Sequence, residues 1–162
     1  MNVYYAGLIT NRTQADVKRV QELAKKGVGK MTEAELEEWS TDMKGAYNAS
    51  DLNRVGTALI VVRDRLRTHG IDVPAEVRTD YTVGDIPTKA LMDAYMESAN
   101  AVYASVPHNA PKPPDTIGNL DYEGANNIEK TIIAVDDVLE ANEVGWIYAD
   151  AELFSGDMGV TT

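Results

Sequence analysis

The stretch NLDYEGANNIEK, Asn119 to Lys130, places oxygen-bearing side chains where a calcium loop would want them. Asn119, Asp121 and Glu123, followed by Gly124, copy the first half of an EF-hand, in which alternate residues ligate and a glycine permits the sharp turn. The second half does not follow. The position that needs a bidentate Glu is Lys130, and Glu129 comes one residue early, so Asp121 reads as a helix N-cap and no metal site is expected. Asp150, Glu152 and Asp157 lie near one another without a glycine-centred loop and read as solvated acids.

Other chemistries have less to work with. Two histidines and no cysteine leave no thiolate zinc site, cysteine nucleophile or His-rich cluster. His69 precedes Gly70 at an expected helix end, where its charge suits the negative terminus, and His108 sits in a proline-rich stretch. No Gly-x-Ser-x-Gly elbow, dinucleotide loop or phosphate loop occurs. Carboxylate pairs are unavoidable among 26 acidic residues, yet EAELEE reads as a solvated helix face, and Asp136 and Asp137 flank an apolar seam. No catalytic residue, cofactor or metal is assigned, and an interaction or structural role is expected rather than an enzymatic one.

The elements explain where these residues fall. AYNASDLNRVGTALIVVRDRL, Ala46 to Leu66, is echoed seventy-three residues later by NLDYEGANNIEKTIIAVDDVL, Asn119 to Leu139. Asn48 and Asp121 are matching N-caps, and Asn53 coincides with Asn126. Leu52, Val55, Leu59, Val62 and Leu66 step by three and four, as do Ala125, Ile128, Ile132, Val135 and Leu139, so each copy carries one straight apolar seam. The two seams predict core helices packed antiparallel across a pseudo-two-fold axis. Thr13 caps an earlier helix that carries Val17, Val20, Leu23 and Ala24 and stops at Gly27. Thr32 and Glu35 form a capping box for a shorter helix with Leu36, Trp39 and Met43, and Thr88 caps a helix with Leu91, Tyr95, Ser98 and Val102 on one face.

Four prolines between 106 and 119 predict an ordered, extended surface strap. Residues 3–9, VYYAGLI, are aromatic and β-branched, and residues 145–154 alternate in period two, so both ends are expected to be strands. Lone strands leave backbone groups unpaired along an edge, which makes Tyr4, Tyr5, Leu8, Trp146, Tyr148 and Phe154 the expected interface residues. The fold class expected is mainly α: a single domain over 1–162, a bundle of about five helices with an internally repeated helix and short terminal strands.

With 15 basic against 26 acidic residues the formal charge is −11, which repels phosphate backbones and argues against a nucleic-acid partner. The same acidity keeps a protein dissolved or complements a basic neighbour in a complex. The N-terminal residues show no basic region followed by an apolar run, and no stretch reaches about 18 apolar residues, so neither an ordinary export signal nor membrane insertion is expected.

NASDLNRVGTAL resembles a helix of the form Asn-Ala-x-Asp-Leu-Asn-Arg-Ile-Glu that recurs in tail-fibre and baseplate proteins of phages of Gram-positive bacteria. NRTQADVKRVQEL, RTDYTVGDIPTKALMDAYM and GWIYADAELFSGDMGV resemble further blocks of a minor tail module of such phages and prophages, and together the blocks cover most of the chain. Gly56 stands where that helix has Glu, whereas the second copy keeps the acid as Glu129. The resemblance implies a virion component of the tail, assembled in the host cytoplasm. Other tail and baseplate proteins would be its partners, and a homo-oligomer, a trimer among the possibilities, is expected. The alternatives are a receptor- or glycan-binding module at the tail tip, with Trp146 and Tyr148 as a stacking platform, and, more distantly, a cell-wall-degrading enzyme.

Overall fold

Each helix begins where a side chain can satisfy its free amides. The computed structural model describes residues 3–5 and 7–155, residues 3 and 144–155 by their backbone only. Helix α1 (Gln14–Lys26) opens on Thr13, whose hydroxyl accepts the Asp16 amide while Asp16 accepts the Thr13 amide. Helix α2 (Glu33–Ser40) repeats the arrangement with Thr32 and Glu35. Helix α3 (Ala49–Thr68) is capped by Asn48 with Asp51, and α4 (Lys89–Tyr103) by Thr88. Helix α5 (Tyr122–Ser155) starts at Asp121, whose carboxylate accepts the Gly124 amide at 2.8 Å. Side-chain caps of this kind, reciprocal at α1, α2 and α3, stabilise a helix by about 1 kcal/mol each and fix where it starts. Gly27 and Gly70 end α1 and α3 in the left-handed region, with φ of 76° and 77°.

Both expected seams are buried. Val55, Leu59, Val62 and Leu66 of α3 and Ile128, Ile132, Val135 and Leu139 of α5 belong to one core, with Tyr95, Met96, Ala99 and Val102 of α4. The expected antiparallel packing is corrected. Arg54 near the start of α3 pairs with Glu129 near the start of α5, while Arg65 and His69 at the far end meet Asp136 and Glu143. The two copies are therefore parallel. Helix α4 runs the same way: the Tyr95 hydroxyl meets Tyr47 just before α3, whereas Val106, past the end of α4, shares a hollow with Ile71 and Leu139. Short loops would have forced antiparallel neighbours. Here residues 69–88 and 104–121 are long enough to return along a helix of about 30 Å, so each long helix restarts from the same end.

Asparagines hold the returning straps. Asn53 donates to the Tyr81 carbonyl at 2.8 Å and accepts the Tyr81 amide at 2.7 Å. At the matching place on α5, Asn126 treats Arg12 identically, with both bonds at 2.9 Å. The clamped segments also match: Thr82 and Asp85 close a turn through the Thr82 amide at 2.7 Å, as Thr13 and Asp16 do at 2.7 Å. The duplication thus includes a strap as well as a helix, and each strap lies on the other copy's helix. On α4, Asn100 donates to the Pro114 carbonyl at 3.0 Å, but proline has no amide to return, and the Asn100 carbonyl oxygen is buried without a partner.

Two expected features are absent among the described residues. No strand occurs at either end: Val3–Tyr5 forms a 3-10 turn, and residues 145–154 continue α5. The alternation after Gly145 is short, and it lies within a run of good helix formers such as Glu143, Ala149, Ala151 and Leu153. A single glycine costs about 1 kcal/mol and does not stop an established helix. At the other end the Tyr5 ring is drawn into the core, where it is 2 % exposed. Met43 is not on α2, which ends at Ser40. Leu36 and Trp39 are on it but exposed.

Candidate functional site

Where the two copies meet, the polar residues of the doubled motif converge on Arg12. Its guanidinium donates to Glu129 at 2.7 Å, to Asp51 at 2.8 Å and to the Ile9 carbonyl at 2.7 Å, and lies 5.4 Å from the Tyr47 ring centre. Arg54 reaches Asp51 at 2.5 Å and Glu129 at 3.5 Å, and the Ile9 amide donates to Glu129. Two arginines therefore balance two carboxylates, which offsets the several kcal/mol that each buried charge costs alone. Arg12, Asp51 and Glu129 are 4 %, 3 % and 0 % exposed, so the acids face arginine rather than solvent. Burial pushes the Glu129 carboxyl up, and Arg12 and the Ile9 amide pull against it. The Tyr47 and Tyr95 hydroxyls share a hydrogen bond of 2.5 Å, and burial raises both phenols far above their ordinary value. Phenols so placed stay protonated. The cluster fastens the first strap to both long helices.

The first copy's helix has no such acid. Gly56 occupies the place of Glu129, and a side-chain carbon there would lie 3.2 Å from the Arg78 carbonyl. Arg78 is the counterpart of Ile9, whose amide meets Glu129 in the first strap. One strap is held by a buried acid; the other presses directly against bare backbone.

No group of three or more His, Cys, Asp or Glu side chains among the described residues is arranged to hold a metal ion. Asp121 is a cap and Glu129 points into the cluster, so the EF-hand half-match has no loop around it. His69 meets Glu143 at 3.1 Å, and His108 contacts the Tyr103 carbonyl at 3.0 Å. Asp136 pairs with Arg65. Among the described residues no helix is long and apolar enough to cross a membrane.

An open groove lies beside the start of α3. About 900 Å³ in volume, it is lined by Trp39, Asp42, Tyr47 and Leu52 together with Val83 and Asp85. Val83 and neighbouring Ile86 are 102 % and 91 % exposed. Among the described residues, Trp39, Leu36, Val83 and Ile86 account for most of the large apolar side chains left in solvent.

The interface residues expected at the chain ends part company. Tyr4 is half exposed, Tyr5 is buried in the core, and Leu8 packs partly buried against it. Trp146, Tyr148 and Phe154 lie on α5, not on a strand, and their side chains are outside the described residues. Sequence reasoning missed Arg12 and the groove. The repeated Thr-x-x-Asp at 13–16 and 82–85, read beside Asn53 and Asn126, was the available signal for the clamps. Comparison with protein-family models, curated proteins and solved structures finds no match to this chain.

Proposed function

We propose that the chain is a non-enzymatic structural component of a phage tail or baseplate that enters the particle through protein–protein contacts. The observation that carries this reading is the fate of the motif Asn-Ala-x-Asp-Leu-Asn-Arg. Asn48 caps α3, Asp51 binds Arg12 and Arg54, and Asn53 clamps Tyr81. Every polar side chain of the motif that resembles tail-fibre and baseplate proteins is spent on internal scaffolding. A scaffold motif is what a structural module needs, and a reaction centre would keep at least one such group open to substrate.

Assembly then falls to other surfaces. Helix α5 continues for about three turns beyond Glu143, which itself faces the end of α3, and Trp146 and Tyr148 lie on that extension. Contacts there would join copies into a homo-oligomer, for which a trimer is one solution, or join the chain to neighbouring tail proteins. The test is a Trp146→Ser, Tyr148→Ser variant. Its helical circular dichroism should match wild type while its oligomer, read by mass in solution, and its incorporation into particles are lost. Normal incorporation of the variant would count against α5 as the assembly surface.

A further inference from the structure

The groove between α2 and the turn at 82–87 is a surface with its own chemistry. Trp39 and Val83 both line it, with Leu36 one turn along α2 from Trp39 and Ile86 between the lining residues Asp85 and Pro87. Clustered aliphatic and aromatic side chains left in solvent mark a contact surface rather than ordinary scatter. Its charge is one-sided. Asp42 and Asp85 line it and no lysine or arginine does, although Asp85 is paired from outside the lining with Arg78 at 3.0 Å, which leaves Asp42 to carry most of the attraction. Helix α2 adds exposed Glu33 and Glu37. Amide and hydroxyl bonds from Thr82, with help from Arg78, hold the Asp85 carboxyl below its usual range, so it is charged at neutral pH.

We propose that this groove is the docking site for a short segment of another protein, apolar in its buried positions and flanked by lysine or arginine. The acids and the formal charge of −11 select a basic partner and disfavour a second copy of this acidic chain. The volume of about 900 Å³ suits several side chains rather than one. A sugar fits less well. Sugar recognition wants open aromatic faces, and Trp39 is a single exposed ring on this groove, whereas Tyr81 is 6 % exposed and its ring is covered by the Arg78 guanidinium at 4.6 Å. Tyr47 is tied to Tyr95, and the most exposed residues, Val83 and Ile86, offer no ring at all. The biological role of such a partner rests on the assembly reading above. The binding assay below reads only the groove, so its failure leaves particle incorporation to be judged separately.

Trp39 and Trp146 are the only two tryptophans, so a Trp146→Phe background makes Trp39 the reporter. The probes are a short synthetic peptide of alternating leucine and lysine and its twin with glutamate in place of lysine. The lysine peptide should produce a saturable blue shift and the glutamate twin none. Val83→Ser with Ile86→Ser, both in solvent and outside the core, should weaken binding at least about tenfold, as loss of a buried aliphatic contact does. Asp42→Asn should weaken it too, whereas Asp72→Asn, a surface acid away from the groove, should not. The proposal is overturned by an unsaturable or absent shift, or by equal weakening from Asp72→Asn, which would mean general charge attraction. It is equally overturned by a concentration-dependent shift without peptide, which would make a second copy the occupant. A shift with chitin oligosaccharides but not with the lysine peptide would make the groove a sugar site.

Discussion

Arg12 shows how one residue can decide the architecture around it. A charged side chain in a polar stretch before a helix gives no sign, in the sequence, of being among the most buried residues of the molecule. It is buried because Glu129 and Asp51 come from two different helices and because Asn126 fixes its backbone. Removing one member leaves an uncompensated buried charge, so Arg12→Met should destabilise by about 3–5 kcal/mol in denaturant unfolding. Arg12→Met with Glu129→Leu leaves the neutral Asp51–Arg54 pair. The double variant should therefore lose clearly less than the sum of the two single losses, with a coupling of about 1–3 kcal/mol. Additive losses would mean that Arg12 and Glu129 act independently.

At the scale of elements, helix starts were legible and helix directions were not. Thr13, Thr32, Asn48, Thr88 and Asp121 all cap as their residue types and spacing predict, because a cap is a local contact between neighbours in the chain. The parallel run of α3 and α5 depends on how far residues 69–88 and 104–121 travel, which no local pattern encodes. The terminal strands were misread because a short alternation also fits a helix that is already under way. Helix α1 buries Leu23, and ion pairs join it to α2: Arg19 pairs with Glu38 at 2.6 Å and Lys26 with Glu35 at 2.5 Å. Gly45 lets the following chain cross the start of α1, since a side-chain carbon there would come within 2.1 Å of the Asp16 carbonyl. Bonds from Lys26 and the Thr32 amide lower the Glu35 carboxyl from 4.5 to about 2, and Arg19 lowers Glu38. A depressed acid stabilises the fold above its unfolded value and ceases to as pH falls through its folded one. The α1–α2 contact should therefore loosen between about pH 4.5 and about 2, seen as faster amide exchange in Glu33–Ser40 while α3 stays protected. In Lys26→Ala the Glu35 titration should move back up. An unchanged titration would remove Lys26 as the cause.

For the whole molecule, α3, α4 and α5 share one core; the repeated three-and-four spacing foretold that the two seams would be buried together, but not that their helices run parallel. Leu59 and Ile132 are both 0 % exposed, so truncating either to Ala should cost about 2–5 kcal/mol. Wild-type melting of both variants would place the seams outside the core. The internal polar scaffold leaves the outer surfaces to act, and the role proposed for them is assembly into a tail. The most direct measurement is quantitative mass spectrometry of particles purified from the strain that encodes the chain, alongside the lysate they came from. The account predicts the chain in assembled particles at a fixed ratio to the other tail proteins. Abundant chain in the lysate with none in purified particles would contradict it.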